Sequence, residues 1–387
     1  MRIALAVFGV FHHFDLAREL DRRGHLKRVY STYPWARLQR EGLPRSKVST
    51  FPYFHMAQLA ALTYSPQWTW ATDNVGYANA VLFDEWLDRR VPDSGVEALI
   101  AISGAALKTG KHLQQRGGTF ICDRGSTHIR WGDALHTAEF KRWGLEYKFD
   151  ERDTIREEAI YAAADAITVP SKFAAKSYIE SGIPEDKVHV IPYGVQLEKF
   201  HRTGEPPQDS FEVLFAGQVS LRKGVPYLLQ AFAQLKHPRK RLRIVGTVAV
   251  ELKTILSKLP RENVEFVGNL PQAELARCMS TSHLLVLPSL EEGLALVQAQ
   301  AMACGCPVLA STNTGSEDLF TDGVDGFIVP IRDVEALRDR MQQLADDSDL
   351  QRRMGELSLA RVRHMGGWSQ YGDQWEALLV RLRAEAS

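Results

Sequence analysis

The sequence predicts an α/β protein with two doubly wound parallel-sheet domains facing each other across a cleft. Three observations carry this reading. Short apolar runs rich in Val, Ile and Leu alternate with amphipathic segments through most of the 387 residues, the pattern of strands buried on both faces between helices. The alternation restarts after the polar stretch HRTGEPPQDS at 201–210, whose glycine and two prolines mark a linker. In the second half, the apolar run FEVLFA passes directly into a glycine turn and then a helix, the place where ligands bind in such sheets.

In chain order, the first half carries strand patterns at 2–8, 96–102, 118–122, 164–169 and 188–191. The second half carries them at 211–216, 241–245, 263–267, 283–287, 306–310 and 326–329. Helical periodicity fits 13–23, 105–116, 172–181, 225–236, 272–280 and 333–345. This gives a first domain over 1–192 and a second over 193–366. The segment 367–387, with Trp368, Tyr371, Trp375, Leu378, Leu379 and Leu382 at helical spacing, is expected to pack back on the first domain.

Apolar residues make up 45% and charged residues 24% of the chain, and the formal net charge is +0. That balance gives no ground for a nucleic-acid partner. The first fifty residues differ, with ten Arg and Lys against four acids. They read either as a solvated surface or as a patch drawn to an anionic membrane face. The aromatics Tyr33, Trp35, Phe51, Tyr53 and Phe54 permit the second reading. The four cysteines lack the spacing of a zinc site or a disulfide framework, and no Asp/Glu/His set has metal spacing, so no metal is expected. The run MRIALAVFGV is too short for a signal peptide or a span. The expected location is the cytoplasm, with peripheral contact at the inner face of the membrane.

Two motifs in the second half carry chemistry. In FAGQVSLRKGVPYLLQAF (215–232), a strand, a glycine turn at Gly217–Gln218, the cations Arg222 and Lys223, and a helix start form an anion site. The spacing is neither a Walker A loop nor G-x-G-x-x-G. In PSLEEGLALVQAQAMACG (288–305), Glu292 stands before a helix read as opening at Gly293. The amides of Gly293, Leu294 and Ala295 are expected to face phosphate or sugar oxygens. Read without its neighbours, Glu292 is equally a carboxylate that serves the helix dipole.

With AITVPSKF, VIPYGV, GQVSLRKG, VEFVGNLPQAEL and TGSEDLFTDGVDGFIVP, these motifs resemble, in order, the family 4 retaining glycosyltransferases of GT-B fold. The likeness is good over about 160–332 and holds only in outline before that. It implies transfer of a sugar from a nucleotide-diphosphate donor (UDP-, GDP- or dTDP-linked) to a hydroxyl acceptor, with retention, no metal and no cofactor. It points to bacterial-type glycan or polysaccharide biosynthesis with a glycan, glycolipid or small-molecule acceptor. In the family's pattern of a carboxylate, seven residues and a second carboxylate, Glu292 matches the first, which contacts the sugar. Gln300 replaces the second, which holds the ribose. Lys223 matches the phosphate lysine, Gln218 stands where the family has Arg, and Arg222 supplies the missing charge.

In the first domain, Gly9 matches the family's cleft loop, and His12 and His13 replace small residues there. The resemblance places an active-site histidine near FICDRGSTHIR, where His128 is the nearest candidate. Asp123 is a base or a loop-orienting carboxylate, and Arg124 and Ser126 lie beside it. Ser171 reads as a helix N-cap, Lys172 as a phosphate contact and Glu317 as an acid near the donor. Two other readings use the same sites: a sugar-nucleotide epimerase, and a non-catalytic sugar-nucleotide binding protein suggested by Gln218 and Gln300.

Overall fold

The computed structural model describes residues 1–56 and 69–385. Seven parallel strands form the first sheet: β1 (Ile3–Val7), β2 (Leu26–Ser31), β3 (Val48–Thr50), β4 (Ala98–Ile102), β5 (Thr119–Asp123), β6 (Ala166–Val169) and β7 (Val188–Val190). They lie in the order β3-β2-β1-β4-β5-β6-β7. Six parallel strands form the second: β8 (Phe211–Ala216), β9 (Lys240–Val245), β10 (Val264–Gly268), β11 (Leu284–Leu287), β12 (Val308–Ser311) and β13 (Phe327–Val329), in the order β10-β9-β8-β11-β12-β13. The central strands β1, β8 and β11 are buried at every residue, which is why their sequences run apolar without alternation.

Strand order reverses between β1 and β4 in the first sheet and between β8 and β11 in the second. Ligands in doubly wound sheets bind beyond the carboxyl ends of strands at such switch points. The carboxyl ends of β1, β5, β8 and β11 lead into Gly9–His12, Arg124–Ser126, Gly217–Lys223 and Pro288–Ala295, with His13 opening the first helix and Asp123 ending β5.

β2 and β3 are absent from the strands expected from sequence. β2 follows its first residue, the buried Leu26, with the exposed Lys27 and half-buried Arg28, and β3 has three residues, so neither offers an apolar run. The helix Gly367–Glu385 packs on the helix His13–Arg22. Arg23 binds Asp373, and His25 lies 2.9 Å from Glu376. The last two residues of the segment 367–387 lie outside the described residues. Tyr193, where the chain leaves the first domain, packs its ring against Trp368 and Tyr371, so the two domain crossings touch one another.

The basic first fifty residues are largely paired within the fold: Arg2 with Glu97, Arg18 with Asp15, Arg22 with Glu19 and Lys47 with Asp21. Arg37 and Arg45 stack over Tyr33 and Trp35. Among the described residues, no helix is long and apolar enough to cross a membrane.

Candidate functional site

The turn after β8 delivers the two cations. Gly224 sits at φ 66° as the N-cap of the helix Val225–Gln234, and a Cβ there would stand 1.9 Å from the Pro288 carbonyl oxygen. Only glycine meets both demands, so the β8 and β11 loops pass in contact. Across that contact, Arg222 Nη1 lies 3.1 Å from Glu292 Oε1 and 3.0 Å from the Glu291 carbonyl oxygen. Lys223 Nζ pairs with the same Glu292 oxygen. One carboxylate is thus held between two cations, with Lys223 and Glu292 each nearly buried. Gly217 lies beside Lys223, and Gln218 is exposed at the loop tip.

The helix after Glu292 begins at Leu296, with Ala295 as N-cap, three residues later than its sequence suggests. Gly293, Leu294 and Ala295 precede it as a buried stretch. Gln300 is half-buried on this helix. The buried Gln298 anchors it: its amide donates to the Thr314 carbonyl and its oxygen accepts from Ser316.

The two domains meet through buried carboxylates. Glu291 Oε1 accepts from Ser126 Oγ at 2.6 Å, from the Thr127 amide at 3.2 Å and from Thr127 Oγ1 at 3.0 Å. Burial pushes its pKa up, but Arg222 and these donors outweigh burial and hold it below the usual carboxylate range. Glu139, on the helix Ile129–Arg142, accepts from Tyr227 Oη at 2.6 Å and Arg332 Nε at 2.7 Å on the second domain. Asp318 accepts from the Lys172 amide at 2.7 Å. Ser171 caps its helix by accepting from the Ala174 amide and donates to the Gly293 carbonyl. A Cβ on Gly293 would stand 2.2 Å from the Gly125 carbonyl oxygen, so backbone meets backbone across the cleft beside Glu292.

In the first domain, the structure brings His12, His13 and Asp123 together. His12 Nε2 and Asp123 Oδ2 are 2.7 Å apart, and Thr168 Oγ1 donates to Asp123 Oδ1 at 2.8 Å. Gly9 anchors the loop, donating to Thr32 Oγ1 and accepting from Ser31 Oγ. Among the described residues, these three side chains have ligand-type atoms within 4.8 Å of one another. The 2.7 Å separation is that of a hydrogen bond, shorter than the roughly 3.3 Å between ligands around a tetrahedral ion at about 2.0–2.1 Å. The cluster is a hydrogen-bonded pair with a second imidazole beside it.

That second imidazole, His13, is fully buried; its Nε2 lies 3.2 Å from Asp123 Oδ2, the oxygen His12 also approaches, and no hydrogen bond forms at either ring nitrogen. Burial pushes its pKa down to about 3, and His12 adds to the fall, outweighing the upward pull of the Asp123 carboxylate. Its neutral form therefore contributes stability that is complete above pH 6.5 and is lost as pH falls toward 3. At about 1.4 kcal/mol per unit, the loss from pH 6.5 to pH 5 is about 2 kcal/mol. His13→Phe is expected to flatten this part of the acid dependence in urea melts; an unchanged slope contradicts the burial argument.

Two expected site residues are turned elsewhere. His128 packs its ring between Tyr161 and Tyr178 in the first domain's core, because its backbone amide is tied to Ser177 Oγ at 2.9 Å. Arg124 is committed to Glu157 at 2.6 Å. Lys172 is mostly exposed and reaches Asp318 by its amide, while Glu317 points outward. Sequence reasoning missed Glu291, Glu139, Gln298 and Asp318.

A model of glycosyl transferases group 1 matches residues 197–359, and a model of Glycosyltransferase Family 4 matches 123–199. The sucrose-phosphate synthase of Thermosynechococcus elongatus superposes with a TM-score of 0.74 at 21% identity, covering 100% of both chains. HepE of Anabaena, solved with UDP and glucose, gives 0.70 at 16% identity over 98% of this chain and 100% of its own. The fold is GT-B. Among relatives by sequence, D-inositol 3-phosphate glycosyltransferase of Streptomyces avermitilis is 29% identical over 89% of this chain and 72% of its own. That of Catenulispora acidiphila is 31% identical over 56% and 57%. The chain thus spans between about half and three quarters of the length of these relatives. On the GT-B frame, the Glu292 cluster lies in the cleft at the second domain's switch point, opposite the His12–Asp123 pair at the first domain's.

Proposed function

We propose that the chain is a glycosyltransferase that moves a sugar from a nucleotide-diphosphate donor to a hydroxyl acceptor, with retention and without a metal on the diphosphate. The observation that carries this is the Glu292 carboxylate held between Lys223 and Arg222 at the switch point of the second sheet. Two adjacent cations at a helix start suit a diphosphate, and a carboxylate beside them suits sugar hydroxyls. As the leaving phosphate gains charge, Lys223 and Arg222 stabilise it in a water-poor cleft. Gln300 meets the ribose as a neutral partner, able to donate and accept. The donor's base is that of UDP, GDP or dTDP, and the complex of HepE with UDP supports the first. Retention rests on the resemblance to family 4.

The acceptor belongs to the first domain. A cavity of about 430 Å³ opens there beyond β1 and β4, lined by Phe8, Ser103, Gly104, Asp133, Asp153 and others. Its acidic lining suits a polyhydroxylated acceptor. The test is NMR of the donor's anomeric proton for UDP-, GDP-, dTDP- and ADP-sugars in EDTA, with and without candidate acceptors. Consumption that depends on acceptor is expected. Conversion without acceptor to an isomeric nucleotide sugar would make the protein an epimerase, and binding without turnover would make it a non-catalytic binder.

A further inference from the structure

We infer that the first-domain cavity takes an acceptor carrying a protonated amine, such as an amino sugar, and turns away a phosphorylated one. This rests on the glycosyl-transfer reading above and names the acceptor class for that reaction. The cavity opens where strand order reverses, beyond Phe8 after β1 and Ser103 and Gly104 after β4. Four carboxylates line it, Asp133, Asp150, Asp153 and Glu157, against one guanidinium, Arg156. His55 also lines it, but burial and Arg37 push its pKa down, so it is neutral at neutral pH.

The ion pairs decide which of these charges is open to a ligand. Arg156 is committed to the wall: its Nη2 lies 2.7 Å from Asp84 Oδ2, and its Nε donates to the Gly104 carbonyl at 2.8 Å. Glu157 is matched by Arg124 at 2.6 Å and Asp150 by Arg152 at 2.9 Å. Asp133 and Asp153 are left. Among the described residues no Lys or Arg forms an ion pair with either, and Asp133 accepts from the neutral Tyr147 hydroxyl at 3.3 Å. Burial, with Asp150 and Glu157 adding to it, raises the Asp153 pKa to about 6 against the pull of Arg152, and burial raises Asp133 as well. Both carboxylates lack a cation. An ammonium supplies one, and a phosphate meets repulsion.

A second observation points the same way. Asn79 lines the cavity from the helix Thr69–Asp88, is 3% exposed, and its Oδ1 accepts from no donor among the described residues. A buried acceptor without a partner calls for a donor, and an ammonium carries three. A metal ion is the other cation such a wall could draw. Among the described residues, no three of these carboxylates come close enough to share one. Charge spread around a hollow of about 430 Å³ fits an amine on a polyol instead. The exposed Phe149 ring on the lining offers a face to the sugar's C–H groups.

The cavity is also continuous with the donor site. Tyr147 Oη, on the cavity wall, lies 3.3 Å from His136 Nδ1. His136 Nε2 lies 3.9 Å from Glu291 Oε2, and Arg222 Nη1 lies 3.7 Å from the same oxygen. The wall that holds the amine thus adjoins the cations assigned to the diphosphate.

The test is calorimetric titration of the full chain, with and without a saturating nucleoside diphosphate, by three sugars: the glucosamine disaccharide of chitosan, its N,N′-diacetylated form and glucose 6-phosphate. The amine sugar is expected to bind about tenfold or more tightly than either of the others, the effect of a charge-assisted contact. Asp153→Asn is expected to remove most of that preference. It is also expected to melt at or above the wild-type temperature at neutral pH, because a carboxylate whose pKa is raised by burial costs stability when ionised. Binding of the diacetylated or phosphorylated sugar as tight as that of the amine overturns the inference. So does an amine sugar that does not bind, or a preference that survives in Asp153→Asn. Failure of every nucleotide sugar and nucleoside diphosphate to bind removes the glycosyl-transfer reading, whereas a bound diphosphate with the order of the sugars reversed removes only the acceptor class.

Discussion

Glu292→Ala is expected to slow sugar transfer by about 100-fold or more while tightening the binding of bare nucleoside diphosphate. The first effect is the loss of two charge-assisted hydrogen bonds to the transferred sugar, at about 1.5–3 kcal/mol each. The second follows from the ion pairs. Glu292 pairs with both Lys223 and Arg222 in the structure; without it Lys223 loses its carboxylate partner and Arg222 keeps only Glu291, 3.7 Å away, so more positive charge faces the phosphates. Steady-state rates and calorimetry on the same preparation separate the two. A variant with wild-type turnover would remove the sugar-holding role. One with slower turnover but weaker diphosphate binding would make Glu292 a scaffold for the cations. Opposed changes in rate and affinity are expected only if the carboxylate serves the sugar and the cations serve the phosphates.

The neighbouring acid has the other large effect. Glu291→Ala is expected to lower stability by about 3 kcal/mol or more, because Ser126 Oγ, Thr127 Oγ1 and the Thr127 amide all lose their acceptor at a buried contact. Since these donors belong to the first domain and Glu291 to the second, the variant is also expected to favour domain opening. Thermal melts should show a lower midpoint, and small-angle scattering a larger radius of gyration. The Glu291 pKa is held low when folded, so its share of the stability is full above the ordinary glutamate range and is lost as pH falls below it. The sign therefore predicts that acid weakens wild type more than the variant. Unchanged compactness in Glu291→Ala would mean that Glu139 and Asp318 hold the domains without it.

The contrast between Glu291 and Glu292 shows what was legible beforehand. The glycine turns at Gly217 and Gly224, the cations after β8 and the acid before Gly293 are local features, set by backbone chemistry and spacing, and they were readable. Which of two adjacent carboxylates faces the cations and which crosses to the other domain depends on side-chain direction in an extended loop. No periodicity encodes that. Asp318 beside Glu317 repeats the case: the exposed acid matched a family position, and its neighbour binds across the cleft. The surroundings of His128 are set by contacts of the same long-range kind. Its position after β5 fitted an active-site histidine, but Tyr161 and Tyr178, from segments 33 and 50 residues on, enclose it. The pairing of His12 with Asp123 spans 111 residues and comes from β1 and β5 lying on either side of β4, a long-range fact that a linear reading does not contain. β3 was invisible because an edge strand needs neither length nor an unbroken apolar run, and β2, between β3 and β1, breaks its own apolar run with Lys27 and Arg28.

The most direct measurement of the central claim is calorimetric titration of UDP-, GDP-, dTDP- and ADP-sugars in EDTA, into wild type, Lys223→Ala and Gln300→Glu. The donor-site account predicts that at least one nucleotide sugar binds wild type without a divalent cation. Lys223→Ala should weaken that donor by about tenfold or more, as expected for a lost charge-assisted contact, and Gln300→Glu should change the affinity through the ribose. Equal affinity for wild type and Lys223→Ala, or binding that appears only when Mg²⁺ or Mn²⁺ is restored, would contradict it.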